Sequence, residues 1–280
     1  MNTDITVVIG AGGMGMAIAR RIACGSTLLL ADSDADVLDA AAGRLREEGH
    51  EVSPHLVDVS DGESVGAFAA TAARSGRLCR IAHTAGLSPV QADAAAVLRV
   101  DLLGVAHMLD HFSSVVAAGG AGVVIASMAG HPRPALPSDV EDALATTPTA
   151  RLLELSFLTP EFMPHPGLAY VFAKRANILR VQAAAATWGR NGARINSISP
   201  GIISTSMGLR ELAGPAGDLM SRAIANSGTG RIGTADDIAA AAEFLLSRRS
   251  SFITGVDLLV DGGVTAANRI AAADLLTVNE

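Results

Sequence analysis

The chain has 280 residues, of which 49% are hydrophobic and only 3% aromatic, so its core must be built from Ala, Val, Leu and Ile. A formal net charge of −7 without any basic cluster argues against nucleic acid or an anionic membrane surface as partner. Cys24 and Cys79 form no metal or redox motif, and no basic and apolar leader precedes Asp4; both facts fit free thiols in a reducing cytoplasm.

Ile5-Thr6-Val7-Val8-Ile9 is a β-branched run that predicts a strand, and Gly10-Ala11-Gly12-Gly13-Met14-Gly15 follows at once. A helix is expected from Met16 to Cys24. Strand, G-x-G-x-x-G turn and helix together form a dinucleotide-binding pattern: the glycines allow a tight turn, close approach of pyrophosphate and close helix–strand packing. The helix amino terminus offers N–H groups to the phosphates. Thr27 to Ala31 predicts a second strand ending in Asp32, 17 positions after Gly15. An acid there can accept hydrogen bonds from the adenosine ribose and would repel a 2′-phosphate, unless it serves as a helix cap together with Asp34.

A third strand is expected from Val52 to Val57, followed by Asp58-Val59, and Ser60-Asp61-Gly62-Glu63 has the spacing of a capping box. Leu78 to Ala82 predicts a fourth strand running into His83-Thr84-Ala85-Gly86, and a long helical region spans about 91–116. His107 and His111 share a face of that helix, but with no third ligand in view no metal site is expected. The longest uncharged stretch, Phe112 to Gly130, is long enough to raise a membrane question. Its glycines and the strand-like Val123-Val124-Ile125 mark it instead as helix end, turn and buried strand. The fifth strand delivers Ser127 at its carboxyl end, where ligands of open α/β sheets sit.

Tyr170 is the only tyrosine of the chain, and Lys174 stands four positions on. On a helix the two share one face. An adjacent ammonium favours the phenolate, so this spacing predicts a Tyr170 pKa pulled below its usual value of about 10 and a usable general acid/base. The helix is expected to reach about Arg190. A sixth strand from Arg194 to Ile198 ends in Ser199-Pro200-Gly201, and the glycines scattered through 202–230 predict a mobile segment on the substrate side. Thr234 is the expected cap of a helix from Asp236 to Leu246, and Val256 to Val260 a seventh strand ending in Asp261-Gly262-Gly263. Alternating strands and helices imply a Rossmann-type doubly wound α/β fold, a seven-stranded and mostly parallel sheet with helices on both faces, in one domain.

Taken together and in this order, the Gly10 turn, Asp58-Val59, Thr84-Ala85-Gly86, Ser127, Tyr170-x-x-x-Lys174, Pro200-Gly201 with Thr205, and Asp261-Gly262-Gly263 resemble the single-domain short-chain dehydrogenase/reductases over about 5–263. The resemblance implies an NAD(H)-dependent oxidoreductase that interconverts a secondary alcohol and a ketone. Tyr170 would exchange the proton with the substrate oxygen, Lys174 would tune Tyr170 and bind the nicotinamide ribose, and Ser127 would hydrogen-bond the substrate. Gly10, Gly12, Met14, Gly15, Asp32, Ala85 and Gly86 would hold the nucleotide, with Asp58 and Val59 bordering the adenine. Pro200, Gly201, Ile203 and Thr205 would lie at the nicotinamide. Three features depart from the family's pattern. The glycine turn is one residue short, His83-Thr84-Ala85-Gly86 replaces N-N-A-G, and Asp101 stands where an Asn commonly holds a water chain to the lysine.

Ser127 and Tyr170 lie 43 positions apart, which leaves an insert of about 131–167. Connections this long are usually functional. Ser138-Asp139-Val140-Glu141 has capping-box spacing for a short helix, and Leu152, Leu153, Leu155, Phe157 and Leu158 need an apolar partner surface. The insert loosely resembles that of bacterial hydroxysteroid dehydrogenase/carbonyl reductases, and its apolar character suggests a hydrophobic or steroid-like substrate. In the short-chain family the Tyr170 helix and the long one before it commonly pack across a subunit boundary, which implies a homodimer or homotetramer with the insert at or near a subunit contact while bordering the substrate cleft. The readings set against this one are an epimerase or dehydratase using the same Tyr and Lys, and a cofactor-binding regulator without turnover.

Overall fold

Strands rich in Val, Ile and Leu alternate with alanine-rich helices, and the computed structural model, which describes residues 3–277, arranges them around one parallel sheet. In chain order the first half comprises β1 (Asp4–Ile9), α1 (Gly13–Ile22), β2 (Thr27–Asp32), α2 (Ala35–Glu47), β3 (Val52–Leu56), α3 (Gly62–Ser75) and β4 (Arg77–His83). Then come α4 (Ala94–Val97), a wide π-helical stretch (Leu98–Leu103), α5 (Gly104–Ser113), β5 (Ala121–Ile125) and α6 (Ser138–Thr146). The remainder is α7 (Pro166–Arg190), β6 (Arg194–Pro200), β7 (Ile203–Ser204), α8 (Ser206–Leu212), α9 (Gly217–Ala225), β8 (Gly233–Thr234), α10 (Ala235–Leu246), β9 (Asp257–Val260) and α11 (Val264–Thr277).

The seven-stranded sheet has the order β3-β2-β1-β4-β5-β6-β9, with every pairing parallel. A separate two-stranded sheet, β7-β8, closes the base of the 202–230 segment, which carries α8 and α9. Strand order reverses between β1 and β4. That switch point opens a crevice at their carboxyl ends, where the glycine turn and Thr84-Ala85-Gly86 both lie.

Period-two alternation sends each strand's apolar residues to both faces. On one face Val8, Leu28, Leu30 and Val123 meet Ile18 of α1, Leu38 of α2 and Ile238 of α10. On the other Val7, Ile9, Ile81 and Val124 meet Phe68 of α3, Phe112 of α5 and Trp188 of α7. Trp188 is fully buried, and its indole N–H donates to the Leu109 carbonyl at 3.2 Å.

Two expected caps are displaced. Asp61 caps α3, accepting from the Glu63 N–H, because Ser60 is drawn onto Asp58, which accepts both its N–H and its hydroxyl at 2.8 Å. A helix does begin at Ser138, but Pro137 precedes it, no side chain caps it, and Glu141 is engaged by Arg175 at 2.8 and 2.9 Å. Thr234 caps α10 as expected, in a capping box completed by Asp237.

The insert is shorter than its expected bounds, because Pro166 already begins α7. Its apolar residues are covered within the chain: Leu144, Leu152, Leu158 and Met163 are buried against Leu98, Leu102, Ala169 and Ala173, and Leu153, Leu155 and Phe157 pack around them. The surface these leucines require is therefore α4, the wide turn and α7, and their burial does not call for a second subunit.

Candidate active site

The glycine turn is held by its neighbours. Gly10 has φ +103°, a left-handed conformation that favours glycine, and a Cβ there would lie 2.6 Å from the Ala85 nitrogen. A Cβ on Gly15 would overlap the Gly10 carbonyl oxygen, whereas one on Gly12 would meet nothing within 4 Å. The turn is thus tight on its protein side and open on its cleft side. Gly12 caps α1 in extended conformation, and no acid occupies the helix's first turn, so its leading N–H groups are available to an anion. Thr84 pins β4 to the turn by donating its hydroxyl to the Ile9 and Gly10 carbonyls at 3.1 and 2.9 Å.

A cleft of about 450 Å³ runs over this turn. Of the residues predicted for the cofactor, Gly10, Gly12, Met14, Gly15, Asp32, Asp58, Val59, Ala85, Gly86 and Thr205 line it. Asp32 ends β2 at its rim; one carboxylate oxygen accepts from the Ala11 N–H at 2.7 Å and the other from the Asp34 N–H at 3.0 Å. Asp34, and not Asp32, caps α2. An open-backed glycine turn, unpaired helix N–H groups and a carboxylate at the β2 end fit a dinucleotide with a free ribose.

Behind Gly86 the helices bring the predicted catalytic residues together. Lys174 and Asp101 are both buried, with Nζ and Oδ2 2.9 Å apart, and a Cβ on Gly86 would lie 3.3 and 3.1 Å from those two atoms. Asp101 Oδ1 accepts from the Leu87 N–H at 2.7 Å. Lys174 Nζ stands 5.3 Å from the centre of the half-buried Tyr170 ring. Burial disfavours the Lys174 ammonium, but Asp101 and Tyr170 more than offset this and hold its pKa above the ordinary value. Burial likewise holds the Asp101 carboxyl above its usual range, against the pull of Lys174 and the Leu87 N–H.

The sign at Tyr170 differs from the sequence expectation. Burial raises the phenol's pKa, Lys174 lowers it, Asp101 raises it, Ser127 lowers it and Glu211 raises it, and the net direction is upward. Lys174 acts as expected, but it arrives already paired with a carboxylate. Ser127, at the end of β5, accepts from the Ala129 N–H at 3.1 Å and presents its hydroxyl toward the phenol.

Besides Ser127, Asp101, Tyr170 and Lys174, which stand behind the cleft, three residues predicted for the cofactor do not line it. Pro200 ends β6, Gly201 packs on Asp261, and the Ile203 side chain turns into the core. Sequence reasoning also missed residues. Arg210 lines the cleft from α8, and Glu211 beside it accepts from the buried Ser88 hydroxyl at 2.5 Å. The only available signal was their position one turn beyond Thr205. His107 and His111 pack over Gly62 and Gly66 of α3, and among the described residues no three His, Cys, Asp or Glu come together as metal ligands. No helix among them is long and apolar enough to cross a membrane.

Comparison with known proteins follows the same outline. A family model described as short chain dehydrogenase matches residues 4–138, and one described as enoyl-(acyl carrier protein) reductase matches residues 135–265. The short-chain dehydrogenase/reductase bsc3 of Alternaria brassicicola is 38% identical over 95% of this chain and 97% of its own. Galactitol 2-dehydrogenase (L-tagatose-forming) of Cereibacter sphaeroides is 31% identical over 92% of this chain and 93% of its own. Among solved structures, a short-chain dehydrogenase/reductase from Burkholderia xenovorans superposes with a TM-score of 0.74 at 28% identity, covering 94% of this chain and 97% of that one.

Proposed function

The chain belongs to the short-chain dehydrogenase/reductase family and is an oxidoreductase, and on that footing we propose that it interconverts a secondary alcohol and a ketone using NAD(H). One observation carries the reading: Tyr170, the single tyrosine, stands beside a buried Lys174 whose Nζ lies directly behind Gly86, a residue of the cleft built on the glycine turn.

When bound, the nicotinamide supplies or accepts the hydride. Tyr170 passes the proton to or from the substrate oxygen, and the Ser127 hydroxyl hydrogen-bonds the same oxygen. Lys174 keeps a positive charge beside the phenol and would hold the nicotinamide ribose, while Asp101 fixes the Lys174 side chain through their 2.9 Å contact. Gly10, Gly12, Met14 and Gly15 would receive the pyrophosphate, Asp58, Val59, Ala85 and Gly86 the adenosine side, and Thr205 the nicotinamide end. Pro200, Gly201 and Ile203 would serve there through backbone, since the Ile203 side chain is buried elsewhere.

Asp32 supports NAD(H) over NADP(H), because a 2′-phosphate placed at the β2 end would face its carboxylate. Titration of the purified protein should show NADH binding more tightly than NADPH, with Asp32→Ala narrowing the gap; the reverse order overturns this preference. Leu144, Leu152, Leu158 and Met163 of the insert are buried within the chain, so they give no specific support to a steroid-like substrate. The substrate reading therefore stops at secondary alcohols and ketones. A homodimer or homotetramer stays within the proposal, with light scattering as its measurement.

The central test is Tyr170→Phe assayed against a panel of secondary alcohols by NADH absorbance. Turnover should fall by about two to four orders of magnitude, the usual contribution of a positioned acid/base, while NADH still binds. Retention of most of the activity would show that the proton travels by another route.

A further inference from the structure

On the reading that the cleft takes a dinucleotide, its charges are unbalanced. Two carboxylates, Asp32 and Asp58, line it, and a pyrophosphate would add two further negative charges. The glycine turn and the start of α1 answer with neutral N–H groups and a partial positive charge. Arg210 is the one Lys or Arg along the lining.

Its side chain is already aimed. Nε donates to the Ser206 carbonyl at 3.1 Å, which folds the side chain back toward the amino end of α8. That end abuts the glycine turn, for a Cβ on Gly13 would lie 3.1 Å from Thr205 Cγ2. The guanidinium is therefore carried toward the face of the turn that the phosphates would occupy. Among the described residues it forms no ion pair, and its acidic neighbour Glu211 is turned away to the Ser88 hydroxyl. That hydrogen bond also ties α8 to the loop after β4, which sets the height of Arg210 above the turn.

We propose that Arg210 clamps the pyrophosphate from the side opposite the glycine turn, so that a dinucleotide is gripped between α1 and α8. A guanidinium presents paired N–H donors in a fixed fork that matches two phosphate oxygens, and such charged hydrogen bonds are strong where water is partly excluded.

The test uses ADP-ribose and adenosine as probes, neither of which can turn over, with binding measured by calorimetry on the full chain. Arg210→Gln should raise the dissociation constant of ADP-ribose about 10- to 100-fold, the range for loss of hydrogen bonds to a charged group, and leave that of adenosine unchanged. Its ADP-ribose affinity should also depend less steeply on salt, and Arg210→Lys should recover part of the loss. Unchanged ADP-ribose affinity overturns the clamp. Equal weakening of both probes overturns it too, by showing that Arg210 acts through the fold. Failure of the unsubstituted protein to bind ADP-ribose or NADH would bring down the cofactor reading itself, and the clamp with it.

Discussion

Three charged side chains compete at Tyr170: Lys174 lowers the pKa of the phenol, and Asp101 and Glu211 raise it. On the proposed mechanism, oxidation of an alcohol needs Tyr170 ready to accept a proton, so the alkaline rise of the pH–rate profile should follow that pKa. Asp101→Asn removes a negative charge that favours the protonated phenol. The rise in kcat/KM should therefore move to lower pH. Asn can still accept from the Leu87 N–H, which keeps the loop in place. The variant should also lose about 3–5 kcal/mol of stability, because Lys174 would be left as a buried and unpaired cation. A profile that stays put, or moves toward higher pH, would mean that Asp101 does not act on Tyr170 through its charge. The Tyr170–Lys174 spacing is visible along one helix. The pairing of Lys174 with Asp101 is not, since 73 positions separate them and only the packing of α7 against the wide turn brings them together. The sign of the Tyr170 shift was hidden for the same reason: it depends on burial and on Asp101, which are properties of the folded chain.

At the scale of elements, two glycines of one turn make opposite predictions. Gly15 touches its own turn, so Gly15→Ala forces the Gly10 carbonyl aside and should lower thermal stability and NADH affinity together. Gly12 faces open space, so Gly12→Ala should leave the melting temperature within a degree or two. Its NADH affinity should nevertheless fall about tenfold, because a methyl group there would stand where phosphate must approach backbone. Calorimetric melting beside NADH titration separates the two variants. A Gly12→Ala protein that binds NADH normally would place the pyrophosphate elsewhere. The turn was legible because its glycines, flanking strand and helix are contiguous. The α3 cap was misassigned by one residue because Ser60 and Asp61 both fit locally, and the contact between Ser60 and Asp58 decided between them. The wide turn at Leu98–Leu103 has no marker in composition, yet it interrupts α-helical register at Asp101. Such widened turns recur at functional sites.

At the scale of the molecule, the doubly wound sheet concentrates polar residues at its carboxyl edge and leaves one of them, His83, in an awkward place. His83 ends β4 with no exposed surface, and neither ring nitrogen has a hydrogen-bond partner among the described residues. Burial, with Lys174 nearby, pushes its pKa down to about 3 from an ordinary value near 6.5. The folded chain therefore carries His83 neutral where the unfolded chain would protonate it. Above pH 6.5 both forms bind the same proton count at this site, and its contribution to stability is constant. As pH falls from 6.5 toward 3 the unfolded state gains a proton that the folded state refuses, so stability drops throughout that window. The full cost is roughly 5 kcal/mol, from a difference of about three and a half units at 1.36 kcal/mol each. His83→Asn replaces the ring with a side chain that does not titrate. Whatever its stability at pH 8, the urea midpoint of this variant should fall less steeply between pH 6.5 and 5 than that of the unsubstituted protein. The comparison isolates His83 from carboxylates that titrate in both proteins. Parallel slopes, or a His83 imidazole resonance, assigned by its absence from His83→Asn, that titrates near pH 6.5 in the folded protein, would show that His83 reaches water or a partner and does not resist protonation.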